Sequence, residues 1–312
     1  MIPEGTILTK QERSMRRQWN QFSSLILVVT LALPLVFASE AFSQAQKNFL
    51  WSVRSKTATV YLLGSVHFFK KEFYPLNKKI EEAFDQSRVL AVEANIVEKG
   101  NIDLQKIGER AFYPESDRLE KHVSAETYDM VKKEGMELGL PLELLNRQRP
   151  WILALTLETI AILKLGFDPR YGIDVHFLSK ASGRRIVELE GLDYQINLLS
   201  TLSDEEQESV LLMTLKGLPR YPEEVDQLMQ AWLSGDANVM DSIMTKDITG
   251  APRMSSIYDK LFSERNRNMV SKIEEFLKAE GTYFVVVGAG HLAGQKGMIE
   301  ILREKGYLID QL

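Results

Sequence analysis

His67 and His291 close two stretches of the same kind. The first runs Thr59-Val60-Tyr61-Leu62-Leu63-Gly64-Ser65-Val66-His67, and the second runs Thr282-Tyr283-Phe284-Val285-Val286-Val287-Gly288-Ala289-Gly290-His291. In each, an apolar run leads into Gly-x-x-His. The chain holds only four histidines, and two of them share this setting. Glu93 ends a third apolar run, Arg88-Val89-Leu90-Ala91-Val92-Glu93, and Glu190-Gly191 ends a fourth that starts at Arg184. An acid at the end of a buried strand is expensive unless it is paired or ligating. Two imidazoles with one or two carboxylates can hold a divalent ion with an open position. Zn, Mn, Co and Fe all suit such donors. The ion would lower the pKa of a bound water to roughly 7, and a nearby carboxylate could accept its proton. His67, His291 and Glu93 are the candidate ligands, with Glu93 either a ligand or the general base. Serine chemistry fares worse. Ser65 stands beside His67, but no Gly-x-Ser-x-Gly elbow exists, nor any zincin helix, P-loop or dinucleotide fingerprint.

These residues meet only if the strands before them run parallel. The spacing predicts a hairpin of Phe49–Val53 with Ala58–Leu63. A helix with Leu76, Ile80, Ala83 and Phe84 on its apolar face then leads to the strand ending at Glu93. Strand, helix, strand at this length is a βαβ unit, so Glu93 falls on the same sheet edge as His67. Ligands sit at that edge in α/β sheets. Residues 96–181 read as mostly helical, with a helix start at Ser124 and an apolar helix opened by Pro150-Trp151. A second helical excursion starts at Ser203, with Glu206 three residues on. It passes Trp232 and a turn at Pro252 to a long helix near 257–279. A helix near 296–305 and a strand at 307–312 finish the chain. The expected fold is α/β: a mainly parallel central sheet with two large helical insertions that roof one edge. His176 reads as a surface histidine, His122 as a solvated one, and Arg265 as a helix-surface cation.

Composition is that of a globular protein with a sizeable core: 45% hydrophobic, 26% charged and a net charge of −5. Nothing calls for a nucleic-acid partner. The absence of cysteine excludes thiol catalysis, thiolate metal sites and disulfides. Arg13, Arg16 and Arg17 precede the apolar stretch Leu25–Phe37, followed by small residues at Ala38, Ala41 and Ala45. That order predicts residues 1–45 as a secretory signal or an N-terminal anchor and the protein as exported. Membrane contact would come only through that segment. Trp151 to Leu165 is too short for a span and carries Glu158 and Lys164, so it reads as a buried core helix.

Residues 46–312 resemble the TraB/GumN family. The resemblance rests on the two Gly-x-x-His motifs, Glu93, Pro150-Trp151, Tyr171-Gly172-x-Asp174, Leu189-Glu190 with Gln195, Arg265-Asn266, and Gly288-Ala289-Gly290-His291-Leu292 with Gly294 and Gly306-Tyr307. Together these are specific. The family is related to the Tiki metalloproteases and more distantly to erythromycin-esterase-like and ChaN-like proteins, which implies their sheet arrangement. It also implies a metal-dependent peptidase site built on His67, Glu93 and His291, with Glu190 and Arg265 in support and Asp174 as a weaker member. The implied partner is a peptide or small-molecule substrate. A non-catalytic alternative is sequestration of a peptide or haem.

Overall fold

Phe284, Val285, Val286 and Val287 are each fully buried. A run apolar on both faces belongs in the middle of a parallel sheet, and that is where it lies. The computed structural model describes residues 47–98, 103–248 and 251–312, and the reading of residues 1–45 falls outside them. Six strands, β1 (Leu50–Arg54), β2 (Ala58–Ser65), β3 (Val89–Val92), β4 (Arg185–Glu188), β5 (Gly281–Gly288) and β6 (Leu308–Gln311), form one sheet in the order β4-β3-β5-β2-β1-β6. The first four in that order pair in parallel, while β1 is antiparallel to both β2 and β6. The sheet is therefore mixed, with the expected parallel part at its centre. The expected β2–helix–β3 unit is parallel, but β5 is inserted between its two strands. Ser65 stands opposite Gly288 in the β2–β5 register, so both Gly-x-x-His segments leave the sheet at one rim.

The intervening helices are α1 (Lys78–Asp85), α2 (Leu104–Ala111), α3 (Ala125–Leu138), α4 (Leu142–Asn146), α5 (Pro150–Lys164), α6 (Ile173–Lys180) and α7 (Leu192–Ser200). After them come α8 (Asp204–Gly217), α9 (Tyr221–Ser234), α10 (Ala237–Thr245), α11 (Pro252–Tyr258), α12 (Glu264–Lys278), α13 (Ala289–Leu292) and α14 (Met298–Glu304). Ser203 and Glu206 close a full capping box on α8. Pro252 starts α11 at a position where a missing N–H costs nothing, so the expected turn there is a helix beginning. A π-helical turn, Asp259–Ser263, joins α11 to α12 without a break. The helical insertions have their own apolar core, in which Leu153 and Leu157 of α5 meet Leu211 and Leu215 of α8 and Val131 of α3. Among the described residues no helix is long and apolar enough to cross a membrane.

Glu158 of α5 breaks that apolar pattern. Burial pushes its carboxyl up, against a hydrogen bond from Tyr221. Tyr221 Oη–H donates to Glu158 Oε1 at 2.6 Å. The folded state thus holds the proton more tightly than the unfolded chain. Stability is greatest below the ordinary carboxylate pKa and falls as pH rises through the window up to the raised value. Glu158→Gln is expected to raise the Tm by about 2–4 °C at about pH 7.5 and to leave it unchanged near about pH 4. A difference equal at both pH values in calorimetric scans would mean that this carboxyl ionises as freely as one in water.

Candidate functional site

Where β3 stops, a side chain takes over the ladder. Gly288 N–H, the last donor of β5, is accepted by Glu93 Oε1 at 2.6 Å. The neighbouring strand end brings Glu190 alongside: Glu190 and Gly191 N–H both donate to the Glu93 carbonyl, at 2.9 and 2.8 Å. Two carboxylates buried side by side need a cation, and α12 supplies it. Arg265 Nε donates to Glu190 Oε1 at 2.8 Å, and its Nη2 donates to Glu190 Oε2 at 2.7 Å and to Glu93 Oε2 at 2.8 Å. Nη1 turns back to the Leu261 carbonyl in the π turn at 3.0 Å. Gln195 of α7 completes the bracket by donating to both carboxylates, at 2.8 Å to Glu93 and 3.1 Å to Glu190. Burial works against ionisation of Glu93, but His291, Arg265 and the Gly288 amide outweigh it and hold the carboxyl below its ordinary range. Arg265 uses four of its five N–H groups on these partners and anchors carboxylates rather than facing open space.

Each of the two histidines is fixed through Nδ1. His67 Nδ1–H donates to Asp174 Oδ2 at 2.7 Å, and Ser65 Oγ–H donates to the same oxygen at 2.6 Å. Ser65 is thereby committed to Asp174 rather than poised as a nucleophile. The Asp174 carboxylate raises His67 to about 9, against the desolvation that opposes it. On the other side, His291 Nδ1–H donates to Asn266 Oδ1 at 2.6 Å. The Asn266 amide has only one way to face, because its Nδ2–H donates to the Lys296 carbonyl at 2.8 Å. Burial pushes His291 down to about 4, so the ring is neutral near pH 7 with its lone pair on Nε2. That Nε2 lies 3.8 Å from Glu93 Oε1. Phe262, from the π turn, lies against the His291 ring with centroids 5.0 Å apart. A π turn inside a long helix is a recurrent mark of functional sites.

Asp174 can reach His67 because Gly172 lets α6 begin against the chain at His67. A Cβ on Gly172 would fall 2.4 Å from the His67 carbonyl oxygen. Ile173 N–H then donates to the Val66 carbonyl at 3.1 Å and ties the helix start down.

The donors match a divalent ion in kind. His291, neutral and oriented through Nδ1 with Nε2 unengaged, has the usual form of a histidine ligand, whereas His67, held protonated by Asp174, would have to give up its Nε2 proton to bind an ion. Their assembly is incomplete: among the described residues no three His, Asp or Glu side chains stand together as a metal-holding group.

The structure brings together His291, Glu93, Glu190 and Arg265, while His67 stands apart on Asp174 with its side chain 65% exposed. Asp174, a weaker member on the resemblance, holds His67 directly. Asn266 and Gln195 carried no role in the sequence reading. A signal for Asn266 exists: it is the polar member of the buried stripe Asn266, Met269, Val270, Ile273, Leu277 on α12. The expectations for the other histidines need correction. His122 is half-buried, stacked on Tyr113 at 4.3 Å and bonded to Asp117 at 2.7 Å. His176 is half-buried between Tyr74 and Phe177, with Glu81 Oε1 at 3.2 Å. Arg265, read as a surface cation on spacing alone, is 12% exposed and triply bonded to carboxylates.

A parallel-centred α/β sheet with its polar side chains gathered at the carboxyl rim defines the class. Within it, the chain belongs to the TraB/PrgY/gumN family, whose model matches residues 49–311. It is similar to the uncharacterized protein YbaP of Escherichia coli (strain K12), 27% identical over 245 residues that cover 78% of this chain and 87% of YbaP. An uncharacterized protein of Treponema pallidum is 24% identical, with 91% of each chain covered. Metalloprotease TIKI1 of Danio rerio is 22% identical over 84% of this chain and 63% of its own length. No solved structure matches the chain.

Proposed function

We propose that this protein is an exported, metal-dependent hydrolase that cleaves peptide bonds, with the ion held by Nε2 of His67 and His291 and by Oε1 of Glu93. The observation that carries the reading is the pair of imidazoles whose Nδ1 atoms are both tied to protein acceptors at one sheet rim. The similarity to a metalloprotease by name supports it, and an erythromycin-esterase-like or ChaN-like sheet belongs to the same reading. When bound, the ion supplies a water of lowered pKa and polarises the scissile carbonyl. Asp174 and Asn266 hold the ligand rings in the right tautomer. Arg265 and Gln195 hold Glu93 ionised and aimed at His291 through the opposite oxygen. Its depressed pKa suits a ligand better than a proton acceptor, so Glu93 takes the ligand role. Glu190, spent on Arg265 and Gln195, is a positioning residue. The export follows from the basic, apolar, small-residue order of residues 13–45.

The decisive measurement is metal content of the purified protein together with cleavage of a peptide library. One divalent ion per chain, lost together with cleavage in His67→Ala and in His291→Ala, is the expected result. The incomplete grouping of the three donors favours a second reading, a protein that sequesters a peptide or haem without cleaving. A metal-free protein that leaves every peptide intact but retains one, or that gives a Soret band with haem, would put that reading in place of the first.

A further inference from the structure

Glu158 is the one carboxylate of α5, and it does not belong to the centre described above. It lines a cavity of about 220 Å³ enclosed by α5, α8, α9 and α10, where Ile162, Leu228, Ile243 and Met244 are among its neighbours. Tyr221 donates to Oε1, and among the described residues no side chain donates to Oε2. The cations at the rim are not available to it. Lys246 bonds to Glu224 at 2.6 Å, and Arg220 bonds to the same carboxylate at 2.7 Å. Glu158 is half-buried rather than sealed, so Oε2 faces the cavity without a side-chain donor and is open to one supplied by a ligand.

We propose that this cavity binds a small apolar amine, a ligand with one ring or short chain and a single ammonium group that meets Glu158 Oε2. Size and charge both lead there. A cavity of about 150 Å³ lined by apolar side chains accommodates a benzene ring, so this one holds a ring with a short arm. An ammonium is the complement of a half-satisfied carboxylate, and a charge-assisted hydrogen bond is about twice as strong as a neutral one. The charges of the lining are three carboxylates, Glu158, Glu224 and Asp247, and one cation, Lys246, which Glu224 already holds, so an anion finds no free counter-charge there.

The cavity shares one wall with the centre. Met244 faces the cavity on one side and covers Gly290 on the other, where a Cβ would lie 2.3 Å from its Cε. Gly290 immediately precedes His291. Occupation of the cavity is therefore reported by the Met244 methyl group.

The test is direct binding to the full chain without added metal, so its outcome is independent of the proposed hydrolysis. Benzylamine and toluene are titrated into methyl-labelled protein while the methionine signals are followed, with Met244 assigned by its absence in Met244→Leu. The expected result is a saturable shift of the Met244 signal, with benzylamine binding about tenfold or more tightly than toluene. Glu158→Gln should abolish that preference while still binding toluene, and Leu228→Trp should fill the space and abolish both. Absence of a saturable shift with benzylamine, equal affinities for the two probes, or a preference that persists in Glu158→Gln would each overturn the inference.

Discussion

Arg265→Met is expected to lower the Tm by about 10 °C, the largest stability effect of any single substitution at the rim. The guanidinium is 12% exposed, and its partners Glu93 and Glu190 are 11% and 4% exposed. Breaking such a buried pair typically costs about 3–5 kcal/mol, because the abandoned charge keeps its desolvation penalty. Here one cation serves two carboxylates, so its loss leaves two acids facing each other at short range. One of them must take up a proton. The effect is therefore largest above the carboxylate range and shrinks as pH falls through it, since protonated acids need no partner. Arg265→Lys should fall between, as one ammonium cannot reproduce the Nε and Nη2 bonds to Glu190 together with the bond to Glu93. Adding Glu190→Gln to Arg265→Met should restore part of the loss. Calorimetry that shows Arg265→Met within about 2 °C of the native chain would mean that the carboxylates are solvated and that no buried charge cluster exists.

Glu93→Gln is expected to have the largest effect on the proposed hydrolysis, lowering kcat/KM by about 10³-fold or more while leaving the chain folded. A carboxylate accepts on both sides at once, and Glu93 uses both: Oε1 takes the Gly288 amide, and Oε2 takes Arg265 and Gln195. A glutamine side chain presents one acceptor and one donor, so it satisfies one side and opposes the other. Set with its oxygen toward Arg265, it would aim an NH₂ at His291 Nε2 and remove the negative charge from beside that atom. Asp174→Asn and Asn266→Ala act on ring orientation alone and should cost only about 10–100-fold in metal affinity. A Glu93→Gln protein with native metal stoichiometry and native turnover would remove Glu93 from the chemistry.

The sequence made the strand ends legible because a run apolar on both faces has few alternatives to a buried strand. The parallel relation of β2 and β3 then placed Glu93 on the same rim as His67. Strand order was not legible. Nothing in the periodicity of residues 281–288 says that they insert between β2 and β3, although this insertion brings His291 to Glu93. Asp174 and Asn266 stood in motifs of the resemblance, but which histidine each orients was hidden for a related reason. Asp174 and Asn266 sit on helices whose contacts depend on packing, and the hydrogen bond between His67 and Asp174 joins residues 107 positions apart. His176 was misread similarly, since its partner Glu81 lies 95 residues away. For His122 the failure was of another kind. Its partner Asp117 is five residues off, but a charged stretch suggests solvent unless the stacking ring of Tyr113 is known.

The insertion of β5 has a consequence for how the molecule comes into being. Glu93 needs the Gly288 amide, and His291 follows three residues later, so the centre cannot form on the ribosome until β5 and the turn after it have emerged. A nascent chain that stops short of β5 has His67 and Glu93 but neither the Gly288 amide nor His291, so the rim is completed only when β5 closes the sheet.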